Sequence, residues 1–275
     1  MRSPREIRKM RVAGLVVWQA HQGAYRALKV GVTTAELNEI YRQTFAAYDA
    51  TPLFLGYGPE DCPFPAETCI SINEELVHGI PGPRKVKTGD IISLDTGCSV
   101  DRWCGDAAVT FAVGEISSGS QRLLDVTEQS LNLAIEMLDK KLMWSEVARE
   151  MQAYVEDNGF GVVRDLTGHG IGQKLHEPPQ APNYWDDQFD ANDDFDIRPG
   201  LVFACEPMVT EGTYEVDTLD DDWTMVTADG KLCAHFEHTI AITKEGPIRL
   251  TGPPSEEELE LVPEEFRDSS QWAKW

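Results

Sequence analysis

Two aspartates stand at the ends of apolar segments, where an unpaired negative charge would be costly. Asp95 closes the run IISLD, which is typical of a buried strand, and Asp106 opens the run DAAVTF, which is typical of the next strand after a loop. Aspartate is a poor strand former, and burying an unpaired carboxylate is energetically expensive. The pattern therefore predicts a positive charge close to both side chains.

Four more residues carry side chains suited to chemistry and lie in similar surroundings. His169 lies in TGHGIG, where the flanking glycines let the backbone approach another group, and His176 lies in LHEPPQ. Glu206 is expected within the strand LVFACEPMV, and Glu237 within the strand AHFEHTIAIT. Each glutamate interrupts an otherwise apolar or β-branched run. Singly, such residues are more often paired or turn residues; together they indicate a functional site.

The carboxylates of this set point to metal ions. Four carboxylates that face one interior repel one another at low effective dielectric, and one or two divalent cations remove that repulsion by favouring the ionised forms. An oxygen-rich set with one imidazole suits Mn²⁺, Fe²⁺, Co²⁺ or Zn²⁺. The number of carboxylates favours two ions, about 3.5–4 Å apart as in two-metal hydrolases. The predicted ligands are Asp95, Asp106, His169, Glu206 and Glu237.

Charge and composition exclude several classes of protein. The 275 residues include 47 acidic and 24 basic ones, and the net charge of −23 argues against binding DNA, which requires basic residues. No apolar run is long enough to cross a bilayer, and the N-terminus lacks the features of a signal peptide. We therefore expect a cytoplasmic protein without a membrane partner. The six cysteines, which form no CxxC pair, are expected to be free thiols.

The elements that must position these residues follow an α+β pattern in one domain, with strands of the antiparallel type. Capping residues and apolar residues three and four positions apart predict helices from Pro4 towards Gly31, over 35–48, and over 120–157 with a break around 141–145. Besides the two segments that hold the aspartates, strands are predicted over 68–76, 201–209, 223–227 and 234–243, and residues 51–67 are predicted to form a long loop.

Taken together, the motifs resemble those of the type I methionine aminopeptidases, which have the pita-bread metallopeptidase fold. The resemblance covers residues 3–249 in the family's order. It implies a curved antiparallel sheet flanked by helices in two pseudo-symmetric halves, with one catalytic domain over 1–250 and an acidic C-terminal extension over 251–275. The motifs that carry it are TCISINEELVHGIPG, LDTGCSVDRWCGDAAVTF, LTGHGIGQKLHEPPQAPNY, VFACEPMV, WTMVT and FEHTIAIT.

The resemblance also implies a role for each predicted metal ligand. Asp95 would chelate one ion. Asp106 and Glu237 would bridge two ions, of which the second would be completed by His169 and Glu206. The cofactor would thus be two divalent ions, with Co, Mn, Fe and Zn as the candidates.

Catalysis and substrate binding are assigned by the same resemblance. The catalytic residues would be His78, His176 and Glu206, and the two histidines, which are not metal ligands, would also contact the substrate. A water activated by the metal would attack the scissile carbonyl, and Glu206 would accept its proton. The pocket for the methionine side chain would be shaped by Cys69, Phe64 and Trp223.

The implied activity is removal of the N-terminal methionine from nascent proteins and peptides with a small second residue. The enzyme would be a monomer that contacts the ribosome transiently. One alternative is an Xaa-Pro-type aminopeptidase, although that group usually carries a larger N-terminal domain. Another is a catalytically silent binding protein on the same fold, although such relatives lack ligands that are all present here.

Several segments depart from the pattern of the family. Phe64 stands where a pocket tyrosine is common, and Leu175 stands where an aromatic residue is usual. Both changes affect the expected side-chain preference but not the metal ligands. The acidic insert 186–196 and the tail 251–275, with Trp272 and Trp275, fall outside the pattern and are expected to add surface packing.

Overall fold

The computed structural model describes residues 1–273, so Trp275 of the predicted extension lies outside the described residues. Within these residues four α-helices form: α1 Pro4–Ala27, α2 Thr34–Ala47, α3 Ser118–Met137 and α4 Trp144–Asp157. The first two begin with capping boxes, in which a hydroxyl at the N-cap and a glutamate three residues later satisfy each other's backbone N–H groups. The predicted break between α3 and α4 is confirmed, whereas α1 ends at Ala27, before Gly31. No helix among residues 1–273 is long and apolar enough to cross a membrane.

Fifteen short strands complete the regular structure of the described residues, and three 3₁₀ turns lie in the tail. The 3₁₀ turns cover Glu256–Leu261, Glu264–Phe266 and Ser269–Gln271. The strands are β1 Thr51–Pro52, β2 Cys69–Ile72, β3 Glu75–Val77, β4 Ile91–Val100, β5 Trp103–Ala112, β6 Gly161–Val162, β7 Gly168–Gly170, β8 Glu177–Ala181, β9 Val202–Cys205, β10 Met208–Thr210, β11 Val216–Thr218, β12 Met225–Thr227, β13 Cys233–His235, β14 His238–Thr243 and β15 Gly246–Arg249.

The strands form four antiparallel sheets. In the first, β4 pairs with β1, β2 and β5; the second has the order β13-β10-β6; the third has the order β11-β12-β3; and the fourth has the order β15-β14-β9-β7-β8. Every strand pairing is antiparallel. The helices pack on these sheets around a common core, where Tyr41, Trp144 and Phe203 are almost fully buried. The predicted α+β class with antiparallel sheets is confirmed.

The loop predicted between the two aspartates is instead part of a long hairpin. Strands β4 and β5 pair from Ile91–Ala112 to Val100–Trp103 and are joined by Asp101 and Arg102 alone. Both turn residues have positive φ, as the tight turns of hairpins require. The glycines of this hairpin serve packing: a Cβ on Gly105 would lie 2.8 Å from the backbone nitrogen of Gly14 in α1.

Three segments predicted as single strands are each divided in two. The first, 68–76, divides into β2 and β3 at Asn73, which has a φ of 64°. The other two divide at the predicted glutamates: Glu206 separates β9 from β10, and Glu237 separates β13 from β14. Strand β9 pairs with β14 in the fourth sheet, and β10 pairs with β13 in the second. At each break the polypeptide therefore passes from one of these two sheets to the other. Pro207 explains one break, because proline has no N–H group to continue the ladder.

The tail packs along α1. The guanidinium of Arg11 donates hydrogen bonds to the carbonyl oxygens of Leu250 (2.7 Å) and Gly252 (2.8 Å) and pairs with Glu258. Further along, the ring of Trp272 meets that of Trp18 edge to face, with centroids 5.1 Å apart. The tail therefore covers an apolar part of the helix surface.

The acidic insert 186–196 packs against the beginning of α4. An oxygen of Asp194 accepts a hydrogen bond from the backbone N–H of Ser145 at 2.9 Å, where the helix dipole favours negative charge. The ring of Phe195 stacks on Trp144, with centroids 5.6 Å apart and planes 7° from parallel. The insert is thus anchored by aromatic packing.

All six cysteines of the chain are free thiols, and Cys62 alone is not fully buried.

Candidate active site

The five predicted metal ligands line one cavity of about 290 Å³. The hairpin supplies Asp95 from β4 and Asp106 from β5, and β7 supplies His169. The two strand breaks supply Glu206 and Glu237. Because a regular strand would turn alternate side chains to opposite faces, the breaks free each glutamate from that alternation. Residues that are far apart in sequence are thereby brought to one place.

Three of the five form a compact group of donors. Asp106, His169 and Glu237 offer ligand atoms that all lie within 4.8 Å of one another. Nε2 of His169 is 3.8 Å from Oδ2 of Asp106 and 3.6 Å from Oε1 of Glu206. Asp95 and Glu206 border this group in the same cavity. A carboxylate, an imidazole and a second carboxylate at such distances can enclose a divalent ion.

Unpartnered oxygens test whether the site fits a cation. Among residues 1–273, the buried oxygens Asp95 Oδ1, Asp106 Oδ1 and Glu237 Oε1 have no hydrogen-bond partner. A buried carboxylate oxygen without a donor is costly, and buried polar groups in proteins are generally satisfied. Several such oxygens around one imidazole match the ligand preference of divalent transition ions. The residues present therefore fit metal ions.

The electrostatics of the site lead to the same conclusion. Burial raises the pKa of Asp106 to about 7. Burial, and then the charge of Asp106, raises the pKa values of Asp95, Glu206 and Glu237 well above their usual range. Held this close without a counter-charge, the four carboxyls bind protons more readily than free carboxyls do. A cation among them reverses this tendency and favours all four ionised forms.

Backbone hydrogen bonds hold the ligands in place. The N–H of Asp106 donates to Oγ1 of Thr239 at 3.0 Å, and that hydroxyl donates to the carbonyl of Asp106 at 2.8 Å. The N–H of Glu237 donates to the carbonyl of Ala108 at 2.8 Å. The side-chain amide of Asn183 donates to the carbonyl of Glu206 at 3.0 Å. These contacts join the hairpin to β14 and position both glutamate backbones.

The two predicted non-ligand histidines line the same cavity. His78 has a φ of 59°, and Gly79 after it lies so close to β2 that a Cβ would be 2.3 Å from the carbonyl oxygen of Ile70. The ring of His176 lies 4.2 Å from that of His169, centroid to centroid. Burial lowers the pKa of His78 to about 4 and also lowers the pKa of His176. Both rings are therefore neutral near pH 7.

The three predicted pocket residues also lie together. Cys69 and Phe64 are buried in a small apolar cluster, against which Trp223 packs. The rings of Phe64 and Trp223 meet edge to face with centroids 5.2 Å apart. All three line the cavity, as does Leu175, one of the residues that depart from the family pattern. The cavity is therefore apolar on one side and carboxylate-rich on the other.

Tyr57 and His235 are two of the cavity residues that the sequence analysis missed. Tyr57 lies in the Gly- and Pro-rich loop, and its hydroxyl is 2.7 Å from Nδ1 of His176. His235 is 1% exposed, and its Nε2 lies 3.6 Å from Oε2 of Glu206. Its position two residues before Glu237 was a usable signal, because two such residues would share one side of the predicted strand 234–243. Nothing in the sequence around Tyr57 pointed to its contact.

Comparisons with known proteins identify the family. Residues 8–244 match the model of metallopeptidase family M24. The chain is 45% identical over 250 residues to methionine aminopeptidase 1 of Bacillus subtilis, covering 91% of this chain and 98% of that protein. The crystal structure of methionine aminopeptidase from Thermotoga maritima has a TM-score of 0.85 at 41% identity, with coverage of 91% and 98%.

A more distant structure supports the fold alone. The Xaa-Pro dipeptidase of Bacillus anthracis has a TM-score of 0.71 at 20% identity, with 93% of this chain matched to 63% of that one. The predicted pita-bread fold is confirmed by these neighbours. The chain therefore belongs to metallopeptidase family M24 and, within it, to the methionine aminopeptidases.

Proposed function

We propose that this protein is a metal-dependent aminopeptidase that removes the N-terminal methionine from peptides and proteins with a small second residue. The observation that carries the proposal is the single cavity in which a carboxylate–imidazole cluster faces an apolar wall. The relatives named methionine aminopeptidase support the choice of substrate. Nascent chains are the natural source of such N-termini.

Two divalent ions, drawn from Co, Mn, Fe and Zn, would be held by the five ligands Asp95, Asp106, His169, Glu206 and Glu237. When bound, such ions lower the pKa of water and polarise a carbonyl group. The unpartnered buried oxygens of Asp95, Asp106 and Glu237 support this assignment.

Three residues of the cavity have catalytic roles besides metal binding. Glu206, at the edge of the donor group, accepts a proton from water and passes it on. His176 is neutral and donates a hydrogen bond to the oxygen that gains negative charge, as oxyanion-hole donors do. His78 contacts the nitrogen of the scissile amide. The presence of all three side chains in the cavity supports these roles.

The apolar wall binds the methionine side chain. The rings of Phe64 and Trp223 meet edge to face, and Cys69 belongs to the same apolar cluster. Thioether contacts with aromatic rings contribute about 0.3–1.5 kcal/mol each. Such a pocket separates side chains that differ by one methylene only about 10- to 200-fold, so leucine and norleucine should react slowly.

The proposal also covers the domain division of the chain, its location in the cell and its oligomeric state. Residues 1–250 form the catalytic domain, and 251–275 form an acidic extension, whose described part, 251–273, packs on α1. The protein acts in the cytoplasm as a monomer and meets the ribosome only transiently. The family match to residues 8–244 and the packing of the tail on α1 support the domain division.

One experiment tests metal and substrate together. The purified protein is analysed for metals, chelated exhaustively, and assayed on Met-Ala-Ser, Leu-Ala-Ser and Ala-Pro peptides before and after addition of Mn²⁺ or Co²⁺. We expect loss of Met-Ala-Ser cleavage on chelation and its return with the ion. Faster cleavage of Ala-Pro would favour the Xaa-Pro alternative, and full activity without metal would contradict the proposed centre. Metal binding without any hydrolysis would favour the silent binding protein.

A further inference from the structure

The hydroxyl of Tyr57 lies 2.7 Å from Nδ1 of His176, and the two rings meet edge to face with centroids 5.3 Å apart. Both residues line the cavity, yet the ligand set and the apolar wall do not account for this contact. It joins residues 119 positions apart, from the loop after β1 and the segment before β8. The contact therefore requires an explanation of its own.

The loop that carries Tyr57 is fastened at both ends. The carbonyl of Tyr57 accepts a hydrogen bond from the N–H of Phe64 at 2.8 Å, and the N–H of Gly56 donates to the carbonyl of Phe64 at 2.8 Å. Beyond Tyr57, the indole N–H of Trp223 donates to the carbonyl of Cys62 at 3.2 Å. The tyrosine is thus held by the same loop that supports the apolar wall.

The chemistry of the two groups decides which one donates. A phenol O–H is a good donor, whereas an unprotonated imidazole nitrogen is a strong neutral acceptor. The hydrogen bond made by one ring nitrogen of a histidine sets which nitrogen carries the proton. With Nδ1 accepting from Tyr57, the proton of a neutral His176 resides on Nε2. The ring is then locked with an N–H as its free polar group.

We propose that Tyr57 is a positioning residue that fixes the Nε2–H form and the orientation of His176, so that this N–H serves as the donor to the developing oxyanion. The inference rests on the proposed function for its catalytic consequence. The hydrogen bond itself is independent of that function and can be measured in a protein that turns over no substrate.

The test compares Tyr57→Phe with Tyr214→Phe, a matched control of similar exposure (43% and 40%) that lies outside the cavity. Long-range ¹H–¹⁵N spectra of the Zn²⁺-loaded protein should show Nε2 of His176 protonated and Nδ1 as an acceptor. In Tyr57→Phe the Nδ1 signal should move to that of an unbonded nitrogen. The control should leave it unchanged.

Activity gives the second readout. Tyr57→Phe should lower kcat about 5- to 10-fold, the size expected for one lost neutral hydrogen bond, with KM and metal content nearly unchanged. In a His176→Ala background, Tyr57→Phe should cause no further loss, because the tyrosine acts through the imidazole. An equal loss in that background would overturn the positioning role.

The outcomes separate the two proposals. Protonated Nδ1 in the unmodified protein, or an Nδ1 signal insensitive to Tyr57→Phe, would overturn the inference while leaving aminopeptidase activity intact. The expected spectra in a protein that does not cleave Met-Ala-Ser would instead overturn the proposed function and the catalytic consequence drawn from it.

Discussion

Gly97 lies directly opposite Asp106 in the β4–β5 hairpin, and a Cβ on Gly97 would lie 3.0 Å from Oδ1 of the aspartate. Oδ1 is one of the buried oxygens without a hydrogen-bond partner. The absence of a side chain at position 97 therefore leaves room for the orientation that Asp106 adopts in the donor group. Close approach of this kind is a reason for glycine inside a strand.

Gly97→Ala should weaken metal binding by about 10- to 100-fold, the range for changes to groups that support metal ligands. The added methyl group displaces the Asp106 carboxylate while every ligand remains present. Titration with Mn²⁺, followed by calorimetry, measures the effect. Gly82→Ala is the control, because its Cβ would have no neighbour closer than 4.0 Å. Unchanged affinity in Gly97→Ala would mean that the carboxylate adjusts freely.

Replacement of His78 should lower kcat without emptying the metal site. Because His78 has a positive φ, we compare His78→Ala with His78→Asn, since asparagine tolerates that conformation better. Both variants should lose roughly 100-fold in kcat, the usual scale for a lost proton donor. His78→Asn should unfold at a higher temperature than His78→Ala. Loss of bound metal in the asparagine variant would give His78 a different role.

The tail should contribute to stability and not to catalysis. Trp18 is 1% exposed and is covered by Trp272 and Phe266. Trp272→Ala should cost about 1–3 kcal/mol, which corresponds to about 2–4 °C in Tm for each kcal/mol. Cleavage of Met-Ala-Ser should be unchanged. Leu261→Ala, at a position that is 61% exposed, serves as the control and should alter Tm little. A fall in kcat/KM for Trp272→Ala would link the tail to the cavity.

His21 should make folding sensitive to acid. It is fully buried between Tyr41 and the carbonyl of Ala107, and burial lowers its pKa from 6.5 to about 4. Since the unfolded chain binds the proton more readily, stability is complete above about pH 6.5 and falls as the pH drops towards 4. The loss reaches about 3 kcal/mol. In His21→Gln, urea unfolding should depend less steeply on pH over this window; an equal slope would contradict the prediction.

The residues with a strong local signal could be predicted from the sequence, and the contacts between distant segments could not. Asp95 and Asp106 are detectable because a carboxylate at the end of an apolar run is unusual, and the structure brings both into the cavity. The strand breaks at Glu206 and Glu237 were missed, although Pro207 was a visible signal for one. A run of β-branched residues looks the same whether it stays in one sheet or passes into another.

The hairpin shows the opposite error. Gly97 and Gly105 lie inside its two strands, although glycine is depleted in strands. What overrides that preference is the close approach of α1 and of the Asp106 carboxylate, neither of which is local in sequence. The same holds for the Tyr57–His176 contact and for the packing of Trp272 on Trp18.

One of the free thiols is suited to labelling with a fluorescent dye. Cys62 is the partly exposed cysteine, and its carbonyl accepts the indole N–H of Trp223 in the cavity wall. A maleimide dye should therefore attach at Cys62 without mutagenesis, and its emission should respond when a peptide enters beside Trp223. The other thiols are shielded from such reagents, because burial raises the pKa values of Cys69, Cys98, Cys104, Cys205 and Cys233.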